Sequence, residues 1–420
     1  MLLEFSFKNF KSYRERATLD LLAGVGLRKA FHVRKVGDKR VLPCAVIFGA
    51  NAGGKSNIYD AFYTMRYYVL NSFAFGGKDS QQVIQKPPRQ PFLFDHKSTS
   101  EPTEFEVFFV EKGANGKKTR TWQYGFSFDD SKVLEEWLSY EECGKTAKET
   151  TVFTRDGDKI ESSVFPGDTL SSLKKALNAD TLVVSLGSKL KIPECDSVFK
   201  AFVSFRTASF SLPAEAFIRS TVLYPHRFDS DVEVQKKVAE FLSTFDPSIK
   251  GFDVKKVPSP NNPEQTTLLV YTVHQTSEGE PPSLLPLSSE SGGTQKMFFL
   301  YPEIKATLEK GGLLFVDELS ARLHPLLHLN ILSSFLDPDL NRNGAQLIIT
   351  SHDVSLLADD CLRADEIWIA EKDLAEESSL YSFFDFKDTA KLKGNGRPSM
   401  LRNYLIGRLG GIPSLKSIEF

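Results

Sequence analysis

The sequence predicts an α/β fold in which a parallel sheet is flanked by helices and joined by an antiparallel β subdomain and a compact, mainly helical insertion. Three observations carry this prediction. An apolar run at 45–48 (AVIF) leads into a glycine-rich loop and then a helical pattern, and a second apolar run at 312–316 ends in two carboxylates. Between them, residues 103–154 alternate polar and apolar side chains in short runs broken by turn residues. Apolar runs of that length suit strands buried on both faces, whereas alternation suits strands with one wet face.

Taken in order, residues 2–8 (LLEFSFK) alternate and 17–22 (ATLDLL) form a second short strand, so a small sheet is expected ahead of the glycine loop. Arg28, Lys29, Arg34, Lys35, Lys39 and Arg40 follow. They are the best local patch for nucleic acid, with a solvated hairpin as the ordinary alternative.

Residues 49–56 (GANAGGKS) fit G-x-x-x-x-G-K-[ST]. In that pattern, glycines let backbone N–H groups face phosphate oxygens at a helix N-terminus. Asn51, Gly53, Gly54, Lys55, Ser56 and Asn57 are therefore candidate nucleotide contacts. Lys55 would reach the β- and γ-phosphates, and the Ser56 hydroxyl would ligate Mg²⁺. Ala52 stands where glycine is commoner, which is harmless if its φ stays negative. Apolar residues at 58, 61, 62 and 65 give the next helix its period.

Strands are expected at 103–110, 121–128, 133–140 and 150–154, as an antiparallel meander with short connections such as 113–116 (GANG). Residues 168–248 read as mainly helical, including an amphipathic helix at 234–245 that stops before Pro247. Further strands at 251–257 and 266–273 flank a loop at 258–263 (PSPNNP). The expected division is thus 1–69 with the glycine loop, 70–165 as the β meander, 166–250 as the helical insertion, and 251–420 as the rest of the head.

The run 312–318 (GLLFVDE) would carry Asp317 to the C-terminal edge of the sheet, where open α/β sheets bind ligands. Asp317 would join the Mg²⁺ sphere, and Glu318 is placed to take a proton from attacking water. Upstream, 288–296 (SSESGGTQK) opens a helix, so Ser291, Gly292 and Gly293 form a second anion site. A single nucleotide has only one γ-phosphate. The second element is therefore expected to serve a nucleotide held by another copy of the chain. His352, closing the run 346–353 (QLIITSHD), suits a side chain that positions the γ-phosphate and the water.

Composition bounds the rest. A chain of 420 residues with 41% hydrophobic and 25% charged content is an ordinary globular protein, and a net charge of −2 gives no global pull toward nucleic acid. Cys44, Cys143, Cys195 and Cys361 are scattered without zinc or disulfide spacing. No apolar run approaches the roughly 20 residues of a membrane span. The N-terminus is charged too early for a secretory leader, so a cytoplasmic location is expected.

The ordered set GANAGGKS, SSESGGTQK, LLFVDEL and IITSHD resembles the ABC-type ATPase heads of SMC, RecF and OLD-family proteins. The fold implied is an ABC-ATPase head, and the cofactors are ATP and Mg²⁺. FSFKNFKSY at 5–13 is similar to the opening of that superfamily, in which the basic residue, here Lys11, approaches the nucleotide. SARLHP at 320–325 takes the place of the D-loop, which crosses the dimer interface; the Q-loop residue stays open among Gln81, Gln82, Gln85 and Gln90. PFLFD, EPTEFEVFF, YGFSF, EEWLSYEE and GRLGGIP resemble the AAA-family ATPases of phage-defence operons that include RloA and AbiL types.

That resemblance implies a homodimer closing on two ATP molecules. Lys55, Glu318 and His352 would be catalytic, and Ser291–Gly293 would act in trans. A higher oligomer is compatible with it. It also implies a separate nuclease-like or toxin effector in abortive infection, with no membrane partner. The other reading is a RecF- or SMC-like DNA-binding repair ATPase. A transporter ATPase is excluded by the wide spacing of its landmarks, and an SMC clamp by the lack of sustained heptads. An OLD nuclease is not expected, because it would carry a Toprim domain after the histidine and the roughly 68 residues that follow His352 are too few for one.

Overall fold

A computed structural model of the protein describes residues 1–25, 29–75, 84–113, 119–144, 148–211, 224–259, 262–276, 280–321, 323–357, 361–386, 400–408 and 410–412. In chain order the strands are β1 (Leu2–Lys8), β2 (Ala17–Asp20), β3 (Arg34–Val36), β4 (Lys39–Val41), β5 (Cys44–Phe48), β6 (Thr103–Glu111), β7 (Arg120–Phe128), β8 (Val133–Glu142), β9 (Glu149–Asp156) and β10 (Lys159–Glu161). They continue with β11 (Phe205–Ser209), β12 (Ile249–Ser259), β13 (Asn262–His274), β14 (Ser283–Pro286), β15 (Gly312–Asp317), β16 (Ala345–Thr350), β17 (Ile367–Lys372) and β18 (Ser378–Ser382). The α-helices are α1 (Lys55–Asn71), α2 (His96–Ser100), α3 (Gly167–Ala176), α4 (Val183–Lys189), α5 (Pro193–Ser204), α6 (Val232–Ser243), α7 (Gly292–Lys310), α8 (Pro325–Leu336) and α9 (Met400–Leu405).

Among the described residues a six-stranded sheet runs β11-β15-β16-β5-β17-β18, parallel except for the β17–β18 pair. Its inner strands β15, β16 and β5 are buried on both faces, as parallel strands between two layers must be. Ala45, Ile47, Leu313, Phe315 and Ile348 face one core; Cys44, Val46, Phe48, Leu314, Val316, Leu347 and Ile349 face the other. The first core lies under α1, where Tyr59 and Phe62 pack on Phe315 at ring separations of 5.4 and 5.7 Å.

The meander is observed, but it does not stand alone. It forms a seven-stranded antiparallel sheet, β10-β9-β8-β7-β6-β1-β2, in which β1 pairs with β6. The N-terminal strands therefore extend the meander and do not make the separate small sheet expected of them. Phe5, Phe7, Phe105 and Phe126 give the two segments one shared apolar face. Gln346 of β16 ties the two large sheets together: it accepts from the Leu2 N–H (2.6 Å) and donates to the Leu2 and Leu42 carbonyls (2.9 and 3.1 Å).

The helical segment also differs from expectation, because 205–209 form β11 and pair with β15 at the edge of the parallel sheet. Helix α4 is pinned to the meander by a buried carboxylate, whereas α6 packs in the other core through Val238 and Leu242. Glu136 of β8 accepts from the Val183 and Val184 N–H groups at the start of α4 (2.6 and 3.0 Å) and from the Tyr124 hydroxyl (3.0 Å). Arg155 lies 3.7 Å away as counter-ion. Burial raises the Glu136 pKa against the opposing pull of Arg155 and the donors.

The loop expected at 258–263 is also shorter than predicted, since β12 and β13 pair through Pro258↔Thr266. Strand β12 is an edge strand, where a proline need not donate. The basic segment forms the β3–β4 hairpin, and its Arg34 donates to the carbonyls of Phe31 and Leu336 (2.7 and 2.9 Å). Arg28 and residues 114–116 of the expected turn lie outside the described residues. None of the helices searched among the described residues is long and apolar enough to cross a membrane.

Candidate active site

Strand β5 delivers the glycine loop to the C-terminal edge of the parallel sheet, and α1 begins at Lys55. The loop is seated tightly on β17. A Cβ on Gly49 would stand 2.1 Å from the Ala370 carbonyl oxygen, so no side chain fits there. From behind, Gly411 closes on the same residue: a Cβ there would lie 3.5 Å from the Gly49 Cα, and the Tyr404 hydroxyl holds the Gly411 carbonyl at 2.7 Å. Of the GRLGGIP motif, Leu409 and Pro413 lie outside the described residues.

Ala52 takes φ = 64°. The condition set on it from sequence, a negative φ, is not met. An L-residue other than Gly costs roughly 1–2 kcal/mol in that region. Ala52→Gly is therefore expected to raise stability by up to about 1 kcal/mol after glycine's larger unfolded-state entropy is subtracted. Chemical denaturation of the two proteins tests this, and a lower midpoint for the variant would contradict it.

A cavity of about 590 Å³ opens above the loop, lined by residues 51–57 together with Glu318, His352, Ser12 and Lys372. Lys55 is almost fully buried, and its ammonium donates to the Gly49 and Ala50 carbonyls at 2.8 Å each. Burial lowers its pKa to about 8, against the raising influence of Glu318 and Asp317. The ammonium thus stands in the cavity's lining at the N-terminus of α1, an arrangement that fits a phosphate.

Asp317, at the end of β15, accepts from the Thr350 hydroxyl (2.7 Å) and the Ser209 hydroxyl (3.3 Å). Burial raises its pKa, and hydrogen bonds from Thr350 and Ser56 oppose the shift. Ser56 and Asp317 thus bring a hydroxyl and a carboxylate together. A pair of hard oxygen donors suits Mg²⁺, which takes one or two protein ligands and completes its shell with water and phosphate. Among the described residues no group of three or more His, Cys, Asp or Glu side chains is placed to hold a metal ion.

Glu318 also has a positive φ, 52°, and its N–H contacts the Thr350 hydroxyl at 2.7 Å. Its carboxylate lies 3.4 Å from His352 Nε2. Burial, followed by Lys55, lowers the His352 pKa, with Glu318 opposing. The His352 N–H meets the Ser320 hydroxyl at 3.3 Å, and Asp353 contacts His328 of α8 at 2.9 Å. The segment after β15 and the histidine loop are in this way locked to each other. Of SARLHP, Arg322 lies outside the described residues.

The structure brings Asn51, Gly53, Gly54, Lys55, Ser56, Asn57, Glu318 and His352 into one cavity, with Asp317 behind Ser56. Lys11 does not line it; its ammonium pairs with Asp60 of α1. Ser291 caps α7, accepting from the Thr294 N–H at 3.1 Å, and is exposed. With Gly292 and Gly293 it stands outside the cavity of its own chain. Gln85 and Gln90 do not line the cavity either, and Gln81 and Gln82 lie outside the described residues. Ser12 and Lys372 line it without having been singled out from sequence. Ser12 neighbours Lys11 in the opening motif, but nothing local marks Lys372.

Solved structures similar to this chain include two SMC heads and RecF. The SMC head bound to the C-winged helix domain of ScpA is 13% identical, with 93% of this chain and 99% of that one covered and a TM-score of 0.42. The SMC head domain from Thermotoga maritima is 14% identical over 91% and 98% of the two chains, with a TM-score of 0.37. RecF with ATP is 12% identical over 88% and 96%, at 0.33. No curated protein matches the chain. The glycine-loop strand inside a parallel sheet, the flanking helices and the antiparallel sheet make the fold a mixed α/β one. A family model matches residues 44–358, three quarters of the sequence, and the chain belongs to that family, described as "AAA domain, putative AbiEii toxin, Type IV TA system".

Proposed function

We propose that this protein is a cytoplasmic, ATP-hydrolysing subunit that pairs with a second copy of itself around ATP and controls a separate nuclease-like or toxin effector in bacterial anti-phage abortive infection. The observation that carries the pairing is the Ser291–Gly293 cap, whose Ser291 is exposed and which stands outside the cavity that holds Lys55, Glu318 and His352. The family description, with its toxin–antitoxin association, supports the defence role. A DNA-repair role has less support: Arg34 of the basic hairpin is spent on backbone carbonyls.

In this reading the loop N–H groups and Lys55 bind the β- and γ-phosphates, and His352 orients the γ-phosphate. Glu318 takes a proton from water as the water oxygen bonds to the γ-phosphorus and the bond to the β–γ bridging oxygen breaks. ADP and phosphate leave. Mg²⁺, when bound by Ser56 and Asp317, neutralises charge on the phosphate oxygens. The Ser291 cap of the second copy supplies donors to the same γ-phosphate. ATP occupancy is thereby converted to subunit closure, and a swing from 1:99 to 99:1 needs about 5.5 kcal/mol of preference for the closed form.

Ser291→Arg tests the trans assignment. It is expected to abolish turnover while each chain still binds ATP with wild-type affinity, as measured by calorimetry beside a phosphate-release assay. Loss of binding as well would put the cap in its own chain's site and end this reading. Copurification from the native operon, with the mass of the intact complex, tests the effector: a complex containing this chain alone would count against it.

A further inference from the structure

Lys372 is the cavity's second cation, and its position in the sheet gives it a different end of the substrate from Lys55. Glu318 and His352 follow β15 and β16, both on one side of the loop strand β5; Lys372 ends β17, on the other side. If the γ-phosphate lies against Glu318, the part of the nucleotide near Lys372 is the part that does not react. The Lys372 ammonium pairs with Glu376 across the β17–β18 turn, and both side chains retain solvent exposure. An exposed pair of this kind contributes on the order of 0–1 kcal/mol, so exchanging Glu376 for a phosphate costs little.

Ser12 stands at the same cavity and supplies the second observation. Its hydroxyl accepts from Asn57 Nδ2 (2.7 Å) and from the Ser378 hydroxyl (2.8 Å). A hydroxyl has two acceptor sites and one proton. With both acceptor sites used, the Ser12 proton has only a donor's role left. A charged ammonium and a committed donor together favour an anionic oxygen over a sugar hydroxyl, because charge-assisted hydrogen bonds are the stronger.

We propose that Lys372 and Ser12 bind the α-phosphate, with Lys372 leaving Glu376 to do so. This rests on the reading of the cavity as an ATP site. It makes Lys372 a determinant of nucleotide over simple diphosphate, since pyrophosphate fills the β- and γ-positions alone.

Calorimetric titration of the full chain with ATP and with pyrophosphate separates the two ideas. Lys372→Ala should weaken ATP and ADP by roughly tenfold to a hundredfold, the scale of a lost charged hydrogen bond, and leave pyrophosphate within about twofold. Glu376→Gln should tighten ATP by removing the competing carboxylate. Unchanged ATP affinity in Lys372→Ala would overturn the inference, as would an equal loss for pyrophosphate, while the ATP site itself stood. A wild-type chain that bound no ATP would take down the underlying reading along with it.

Discussion

Glu318→Gln is expected to bind ATP at wild-type affinity, lose turnover by a factor of roughly 10² to 10⁴, and accumulate as a dimer in ATP. The amide keeps the shape of the side chain and the backbone's positive φ, and it can still meet His352, whose Nε2 stands 3.4 Å from the native carboxylate. What it loses is the ability to take the proton from water. Closure is then reached but not released. Steady-state phosphate release combined with size measurement in saturating ATP checks both halves of the expectation. A variant that stays monomeric in ATP would sink the link between occupancy and pairing, and one that keeps turnover would remove Glu318 as the base.

Lys55→Ala should lower ATP affinity by about a hundredfold or more, because it deletes the charged donor at the centre of the phosphate cradle. The fold should survive. In the folded chain the ammonium is held under a burial penalty, visible as the depression of its pKa to about 8, and its hydrogen bonds go only to the Gly49 and Ala50 carbonyls. Removing a group whose charged form is disfavoured by folding is not expected to lower the denaturation midpoint at neutral pH. Calorimetry with ATP and a thermal melt without it distinguish lost binding from lost structure. Retained affinity, or a collapse of the melt, would contradict this account of Lys55.

The parts of the fold and site that could be read from sequence are those whose chemistry is local. GANAGGKS and LLFVDE each declare a strand, its end and the group it presents within a few residues, and the alternation at 103–154 declares its strands equally directly. What escaped depended on distant partners. Strand β1 pairs with β6 across the intervening glycine loop and α1, and nothing in LLEFSFK names that partner. The segment FRTAS is too short and too polar to read as a strand, and becomes one only because β15 offers an open edge. Lys372 has no motif at all; its place follows from β17 lying beside β5. Ala52 escaped for another reason, since its φ of 64° is one that the residue type argues against.

The pairing of Cys44 with Leu347 and of Val46 with Ile367, followed by Gly411 packing on Gly49, sets an order of assembly during synthesis. As the chain leaves the ribosome, the glycine-loop strand emerges early but has no hydrogen-bonding neighbour until the last third has been made. The antiparallel layer, whose partners are close in sequence, can form long before that. A chain stopped before residue 345 therefore has every strand of the antiparallel layer and neither strand that flanks the glycine-loop strand. The glycine loop is thus the last part of the site to gain its neighbours, after Ser291, Glu318 and His352 have been translated.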